Sequence, residues 1–251
     1  MDEVYAADSS WKGKARRRLV RLAHRRPARM RLQRPMVSFT FDDAPATAAA
    51  IGAALLEKAG ARGVYYISAG LAGQPSPMGR LSGAEEVRRL VSAGHEIACH
   101  TYSHLDCGQA DARTVAAEVE QNARALTAWG APPPRNFAYP YGDVSLSAKG
   151  VLAARFQTLR ALHHGLVESG ADLNQAPGVG IEGPGGEATA HRWLDTAARR
   201  RAWVILYTHD VSETPSAWGC TPAALQRLID RAVGGRFDIV TVAEGVRRLG
   251  L

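Results

Sequence analysis

Four short clusters in this chain hold residue types that can do chemistry. Asp42 and Asp43 are adjacent carboxylates closing the run Ser38-Phe39-Thr40-Phe41. His100 and His104 stand at i and i+4, a spacing that shares one face of a helical turn, just after residues 96–99. Tyr141 lies in Tyr139-Pro140-Tyr141-Gly142, and His209 closes the run Ile205-Leu206-Tyr207-Thr208. Two imidazoles and one carboxylate with an open position suit a catalytic zinc ion. A backbone N–H held in a Pro-Tyr-Gly turn can stabilise an oxyanion. Taken singly, each cluster also has a plain reading. Asp-Asp marks turns, an HxxxH pair recurs by chance, Pro-Tyr-Gly is an ordinary turn with an aromatic lid, and a lone histidine is usually structural.

What unites the clusters is position, because each follows an apolar run of strand type. Strands are expected at 37–41, 63–67, 96–99, 136–138, 156–159, 203–207 and 238–242, and helices at 47–59, 84–93, 112–128, 147–154, 187–200 and 222–233. Gly60, Gly94 and Gly130 stand where helix C-caps are expected, and Thr47 and Ser82 are candidate N-cap or turn residues. Strand then helix, repeated, implies parallel strands with right-handed crossovers. Seven or eight such units suit a barrel better than an open sheet. Two adjacent carboxylates belong at a strand's C-terminal end, the face where barrel active sites lie. Residues 165–186 are rich in glycine and proline and read as an irregular loop with at most one short strand.

In this order and at this separation, Thr40-Phe41-Asp42-Asp43, His100-Thr101-Tyr102-Ser103-His104, the Pro140-Tyr141-Gly142 turn and His209 resemble the NodB-homology polysaccharide deacetylases, the family 4 carbohydrate esterases. The resemblance spans about residues 36–245. It implies a distorted (β/α) barrel and a metal-dependent hydrolase that removes N-acetyl groups from N-acetylglucosamine-type sugars. Asp43, His100 and His104 would bind the metal, usually zinc. Asp42 would be the general base, His209 the general acid, and the Tyr141 N–H an oxyanion donor. The Arg/Ala-rich sequence, the basic leader and the lack of a signal-like start resemble the small cytoplasmic members from bacteria that make adhesive, holdfast-like exopolysaccharide.

The chain departs from the family pattern in places. Ala44 replaces a glycine. Ala138 replaces the arginine that pairs with the base, and Arg160, at the end of another expected strand, is the candidate to supply that charge and keep Asp42 ionised. A surface arginine is the plain alternative. No acid evidently orients His209; Asp210 and Asp172 are candidates. Tyr207 stands where an apolar residue is usual, so the acetyl pocket is expected to differ. Trp218 reads equally as a site wall or a core or lid residue, His95 as a support for its strand, and His163 and His164 carry no assignment.

The net charge of +7 is unevenly spread. Residues 1–34 hold eleven lysines and arginines against three acids, and the rest of the chain sums to −1. The division expected is a basic segment, 1–34, and a catalytic domain, 35–251. Residues 10–25 can form a helix with Trp11, Ala15, Leu19 and Leu22 on one face, ended by Pro27. Such a stripe either packs on the barrel or on a second subunit, giving a homodimer, or touches the anionic inner membrane. Nucleic acid is not expected, since no aromatics interleave the charges. Three cysteines, an odd count without CxxC spacing, argue against a disulfide framework and a cysteine zinc site, and Cys99 reads as a small buried strand residue. With no span of ~20 apolar residues and no signal-like start, a cytoplasmic protein is expected, peripheral at the membrane if the helix binds lipid. The substrate is then an acetylated polysaccharide or a lipid-linked oligosaccharide. An O-acetyl esterase and a silent sugar-binding module are the other readings, the second disfavoured by the intact set of site residues.

Overall fold

The computed structural model describes residues 18–250. Its centre is a curled parallel sheet ordered β7-β6-β5-β2-β1-β9-β8. These strands are β1 (Met36–Phe41), β2 (Val64–Ile67), β5 (Glu96–Cys99), β6 (Asn136–Ala138), β7 (Thr158–Arg160), β8 (Val179–Gly180) and β9 (Trp203–Thr208). A hairpin, β3 (Pro75–Ser76) and β4 (Gly79–Arg80), stands apart, and β10 (Asp238–Ile239) pairs with the start of β1. β1 and β9 are buried along their whole length, as apolar strands covered on both faces must be. Helices α1 (Ala53–Lys58), α2 (Ala84–Ser92), α3 (Ala112–Ala128), α4 (Leu146–Arg155), α5 (Gly186–Arg200), α6 (Pro222–Gly234) and α7 (Val242–Arg248) cover the sheet. The architecture is the expected distorted (β/α) barrel.

Several local expectations find their physical reason. Gly94 and Gly130 each take a left-handed φ one residue past a helix's last turn, which a β-carbon would disfavour. Neither Thr47 nor Ser82 caps a helix through its side chain; the N-cap of α2 is Gly83, whose N–H donates to Glu86. The strand expected over 238–242 stops at Ile239, because Thr241 accepts from the Glu244 N–H and starts α7. The segment 165–186 contains one short strand, β8, which pairs with Leu206 and Tyr207 of β9.

β7 and β8 face a seam closed by other means. Arg160 bridges to Ala176, and residues 26–28 run along 171–173, with Ala28 N–H to Ala171 O at 2.7 Å and Leu173 N–H to Arg26 O at 2.9 Å. The Arg26 guanidinium donates to the carbonyls of Ala153, Phe156 and Gln157 at 2.6–2.7 Å. Before this strap, residues 18–22 are helical. Val20 faces the body, and buried Lys149 donates to its carbonyl and to Asp172. Leu19 and Leu22 are 55% and 66% exposed, so this part of the stripe does not pack on the barrel. Trp11 and Ala15 lie outside the described residues. No helix among the described residues is long and apolar enough to cross a membrane.

Candidate active site

The residues expected as metal ligands, base, acid and oxyanion donor, with Arg160, stand at the C-terminal edge of the sheet. Asp42 and Asp43 follow β1, His100 follows β5, Tyr141 follows β6, Arg160 ends β7 and His209 follows β9. The pairing of Phe41 with Thr208, and the Asp42 N–H bond to Thr208 O at 2.9 Å, place Asp42 beside His209.

Asp43, His100 and His104 each offer a ligand atom, all within 4.8 Å of one another. Asp43 Oδ1 is 3.5 Å from His104 Nε2 and 3.8 Å from His100 Nε2. His100 Nδ1 lies 2.8 Å from Ala138 O, and a carbonyl only accepts, so Nδ1 carries the hydrogen and Nε2 keeps its lone pair. Burial drives the His100 pKa down to about 4 against the opposing pull of Asp43, leaving the imidazole neutral, as a metal ligand must be. Asp43 Oδ1 is buried with no hydrogen-bond partner. An unmet buried acceptor is costly, and a divalent cation would satisfy it. The donor set therefore fits zinc or a similar transition metal.

Asp42 sits in a different environment. Arg160 Nη2 lies 2.5 Å from both of its carboxylate oxygens, and the pair is buried. The guanidinium is flanked by the rings of Tyr66 and Tyr207, at 5.2 and 4.9 Å. Burial alone would raise the Asp42 pKa; Arg160, then His100 and His209, outweigh it and hold the carboxyl below its usual range. Arg160 pairs in register with Ala138 of β6. Directly paired residues project from the same face of a sheet, so the charge absent at Ala138 stands one strand over at the same level.

His209 donates its backbone N–H to Trp218 O at 3.1 Å, and its Nδ1 lies 3.2 Å from the same carbonyl. Trp218 thus holds His209 through its backbone while 37% exposed. The nearby acid is neither of the two expected. Asp210 accepts from the N–H and hydroxyl of Ser216 and pins the loop, and Asp172 accepts from Lys149, Arg26 N–H and Asn174 N–H. Glu182, two residues beyond β8, lies 3.7 Å from His209 Nδ1 and hydrogen-bonds Tyr207. Burial raises its pKa, and His209 opposes that. The only sequence signal for Glu182 was an acid just after a short apolar pair in a glycine-rich segment. His95 supports its strand: Nδ1 accepts from Gly63 N–H, and Nε2 pairs with Glu57. His164 stands edge-on to Trp193.

The backbone is strained here. Asp43, Ala44, Thr101, His104 and Tyr141 all have φ between 44° and 60°. A non-glycine residue in this region costs on the order of 1–3 kcal/mol. The Tyr141 ring stands edge-on to His104, with centroids 4.6 Å apart, and is 44% exposed.

A sequence model of the polysaccharide deacetylase family matches residues 29–158. No curated protein matches the chain. Solved structures with the same fold include the family 4 domain of a multidomain xylanase from the hindgut metagenome of Trinervitermes trinervoides, 19% identical with a TM-score of 0.60, covering 87% of this chain and 93% of that one. A family 4 acetyl xylan esterase from Clostridium thermocellum, in complex with a cobalt ion, is 21% identical with a TM-score of 0.58, covering 83% and 89%. The chitin deacetylase of Colletotrichum lindemuthianum is 18% identical with a TM-score of 0.60, covering 87% and 92%.

Proposed function

The chain belongs to the polysaccharide deacetylase family, and from that premise we propose that it hydrolyses N-acetyl groups on N-acetylglucosamine-type residues with a divalent metal, zinc by its donor set. The observation that carries this reading is the buried, unpartnered Asp43 Oδ1 facing the Nε2 atoms of His100 and His104. When bound, the metal would polarise the acetyl carbonyl and lower the pKa of water. Asp42, kept ionised by Arg160, takes the proton from the attacking water. The Tyr141 N–H donates to the oxygen that gains negative charge. His209 gives a proton to the departing sugar nitrogen, because an amide anion cannot leave. Glu182 and the Trp218 carbonyl, both at His209 Nδ1, orient the ring for that transfer.

The test is acetate release from N-acetylglucosamine oligomers by zinc-loaded protein, beside chelated protein and Asp43→Ala. Release that requires both zinc and Asp43 is expected; equal release by Asp43→Ala would overturn the reading. O-acetylated xylan assayed in parallel separates an esterase, and no zinc bound with no release would favour a silent sugar-binding module.

For the natural acceptor we propose an adhesive, holdfast-like bacterial exopolysaccharide or its lipid-linked precursor, met in the cytoplasm at the inner membrane. The exposed Leu19 and Leu22 amid arginines support membrane contact. A division of labour at residue 34 follows, with charge in 1–34 and chemistry in 35–251. Val20 and Arg21 share a surface cleft with Gly142 and Asp143, next to Tyr141, so a membrane under this helix would lie near the catalytic mouth. A homodimer through the same leucines is the competing use of that face.

A further inference from the structure

Between its two histidines the loop 101–104 makes an unusual path, with left-handed φ at both Thr101 and His104. Inside the loop, Thr101 Oγ1 accepts from Leu105 N–H at 2.8 Å. The larger restraint comes from outside it. Glu118, on α3, accepts from the backbone N–H groups of Tyr102 and Ser103 through Oε2, both at 2.8 Å, and from the Ser103 hydroxyl through Oε1 at 3.0 Å. One turn along the same helix, Asn122 donates to Ile67 O at 2.8 Å and to Cys99 Sγ at 3.2 Å, and accepts from Ala69 N–H at 2.9 Å. Residues four apart share a helix face. One face of α3 therefore grips the ends of β2 and β5 through Asn122 and the loop beyond β5 through Glu118. The helix is anchored at its own start by Asp111, which accepts from the N–H groups of Arg113 and Thr114.

We propose that Glu118 is a positioning residue for the metal site: it touches no ligand atom, yet it fixes the loop that sets His104 against His100 and Asp43. Its carboxylate gathers two backbone donors at the middle of a four-residue span, so the loop cannot relax toward ordinary φ values without losing them. Charge-assisted bonds of this kind are the strong ones. With them absent, His104 loses its fixed place while His100, held by Ala138 O and by the Ser68 hydroxyl bond to its carbonyl, keeps its own. Groups that orient metal ligands typically matter to metal affinity by about 10–100-fold.

The inference rests on the metal-site reading above, and one experiment separates the two. Zinc affinity is measured by competition with a chromophoric chelator for wild type, Glu118→Ala, Glu118→Gln and Glu120→Ala. Glu120 is an exposed residue of the same helix paired with Arg124 and serves as the control. Cobalt(II) absorption of the same samples reports ligand geometry. The expected result is wild-type affinity in Glu120→Ala, a loss of about 10–100-fold in Glu118→Ala with an altered cobalt spectrum, and an intermediate loss in Glu118→Gln, which keeps one acceptor. Should Glu118→Ala fail to fold, Glu118→Gln, of the same shape, carries the test alone. Wild-type affinity and spectrum in the folded Glu118 variants overturn the brace and leave the metal site standing; a wild type that binds no zinc overturns both.

Discussion

Asp42 and Asp43 are neighbours in sequence with opposite environments, and each environment matches a different task. Asp43 keeps an acceptor open beside two imidazoles, whereas Asp42 is closed around an arginine. The Asp42–Arg160 pair predicts a specific pH behaviour. A general base, the role proposed for Asp42, must be ionised to act, and Arg160 is the leading influence holding its pKa down against burial. Arg160→Ala should move the acidic limb of the kcat/KM profile to higher pH and reduce turnover at neutral pH by about 100-fold or more, within the range a general base supplies. Arg160→Lys should recover part of it. An unmoved acidic limb in Arg160→Ala would remove Arg160 from the mechanism. The same pair has a stability consequence. Asp42 has a depressed pKa in the folded state, so its contribution is present above its unfolded pKa and is lost as pH falls through the folded value, below the ordinary 3.8. Breaking a buried pair by removing one partner typically costs about 3–5 kcal/mol. Urea titration of Arg160→Ala at neutral pH should show a loss of that size. In Arg160→Ala, adding Ala138→Arg returns the charge to the adjacent strand at the same register and should restore the acidic limb.

Among the elements, those carrying the site were the legible ones. β1, β5, β6 and β9 read as apolar runs ending in an acid, a histidine or a Pro-Tyr-Gly turn, and each delivered its residues to one edge because parallel strands end on one face. Arg160 was legible for the same reason, at the end of β7. Glu182 was not, because β8 is two residues long and exists only through pairing with β9; nothing local distinguishes Val179-Gly180 from loop. The strap at 26–28 was hidden likewise, since its bonds reach across more than a hundred residues to Ala153, Phe156 and Asp172. Arg26 illustrates what such a contact does. Its guanidinium closes the end of α4, where helix carbonyls lack partners and a cation is favoured. Arg26→Ala should lower unfolding free energy by about 2–3 kcal/mol, the scale of hydrogen bonds to a charged group, with the slope against urea unchanged. Acetate release from soluble oligomers at low temperature should stay at the wild-type rate. A large loss of turnover in a fully folded Arg26→Ala would show instead that the strap shapes the site.

At the scale of the molecule, charge and chemistry occupy different parts of the chain. The body after residue 34 sums to −1, while the segment before it carries +8. Three of its arginines are engaged with the body: Arg25 on Gly170 O, Arg26 as above, and Arg34 on Asp238. From residue 18 to 34 there is no acid at all, so cations surround the two exposed leucines. This arrangement argues against a second copy as the natural cover for Leu19 and Leu22. Two segments of the same sign would face one another, and the nearly neutral body has no acidic excess to receive them. An anionic lipid surface meets both needs, since each cation near it contributes about 1 kcal/mol and a buried leucine contributes about 2. Full-length protein should therefore co-sediment with vesicles containing phosphatidylglycerol and not with neutral ones. Binding should fall away at about 1 M salt, where screening shortens to ~3 Å. Leu19→Ser with Leu22→Ser should weaken binding at low salt by about 10-fold or more without changing net charge. The same pair of changes should slow acetate release from a lipid-linked acceptor in those vesicles while leaving soluble oligomers unaffected, because the catalytic edge is untouched. Vesicle binding that survives the double change, together with a dimer-to-monomer shift in light scattering, would assign the leucines to a second copy and leave the arginines as the whole of the membrane contact.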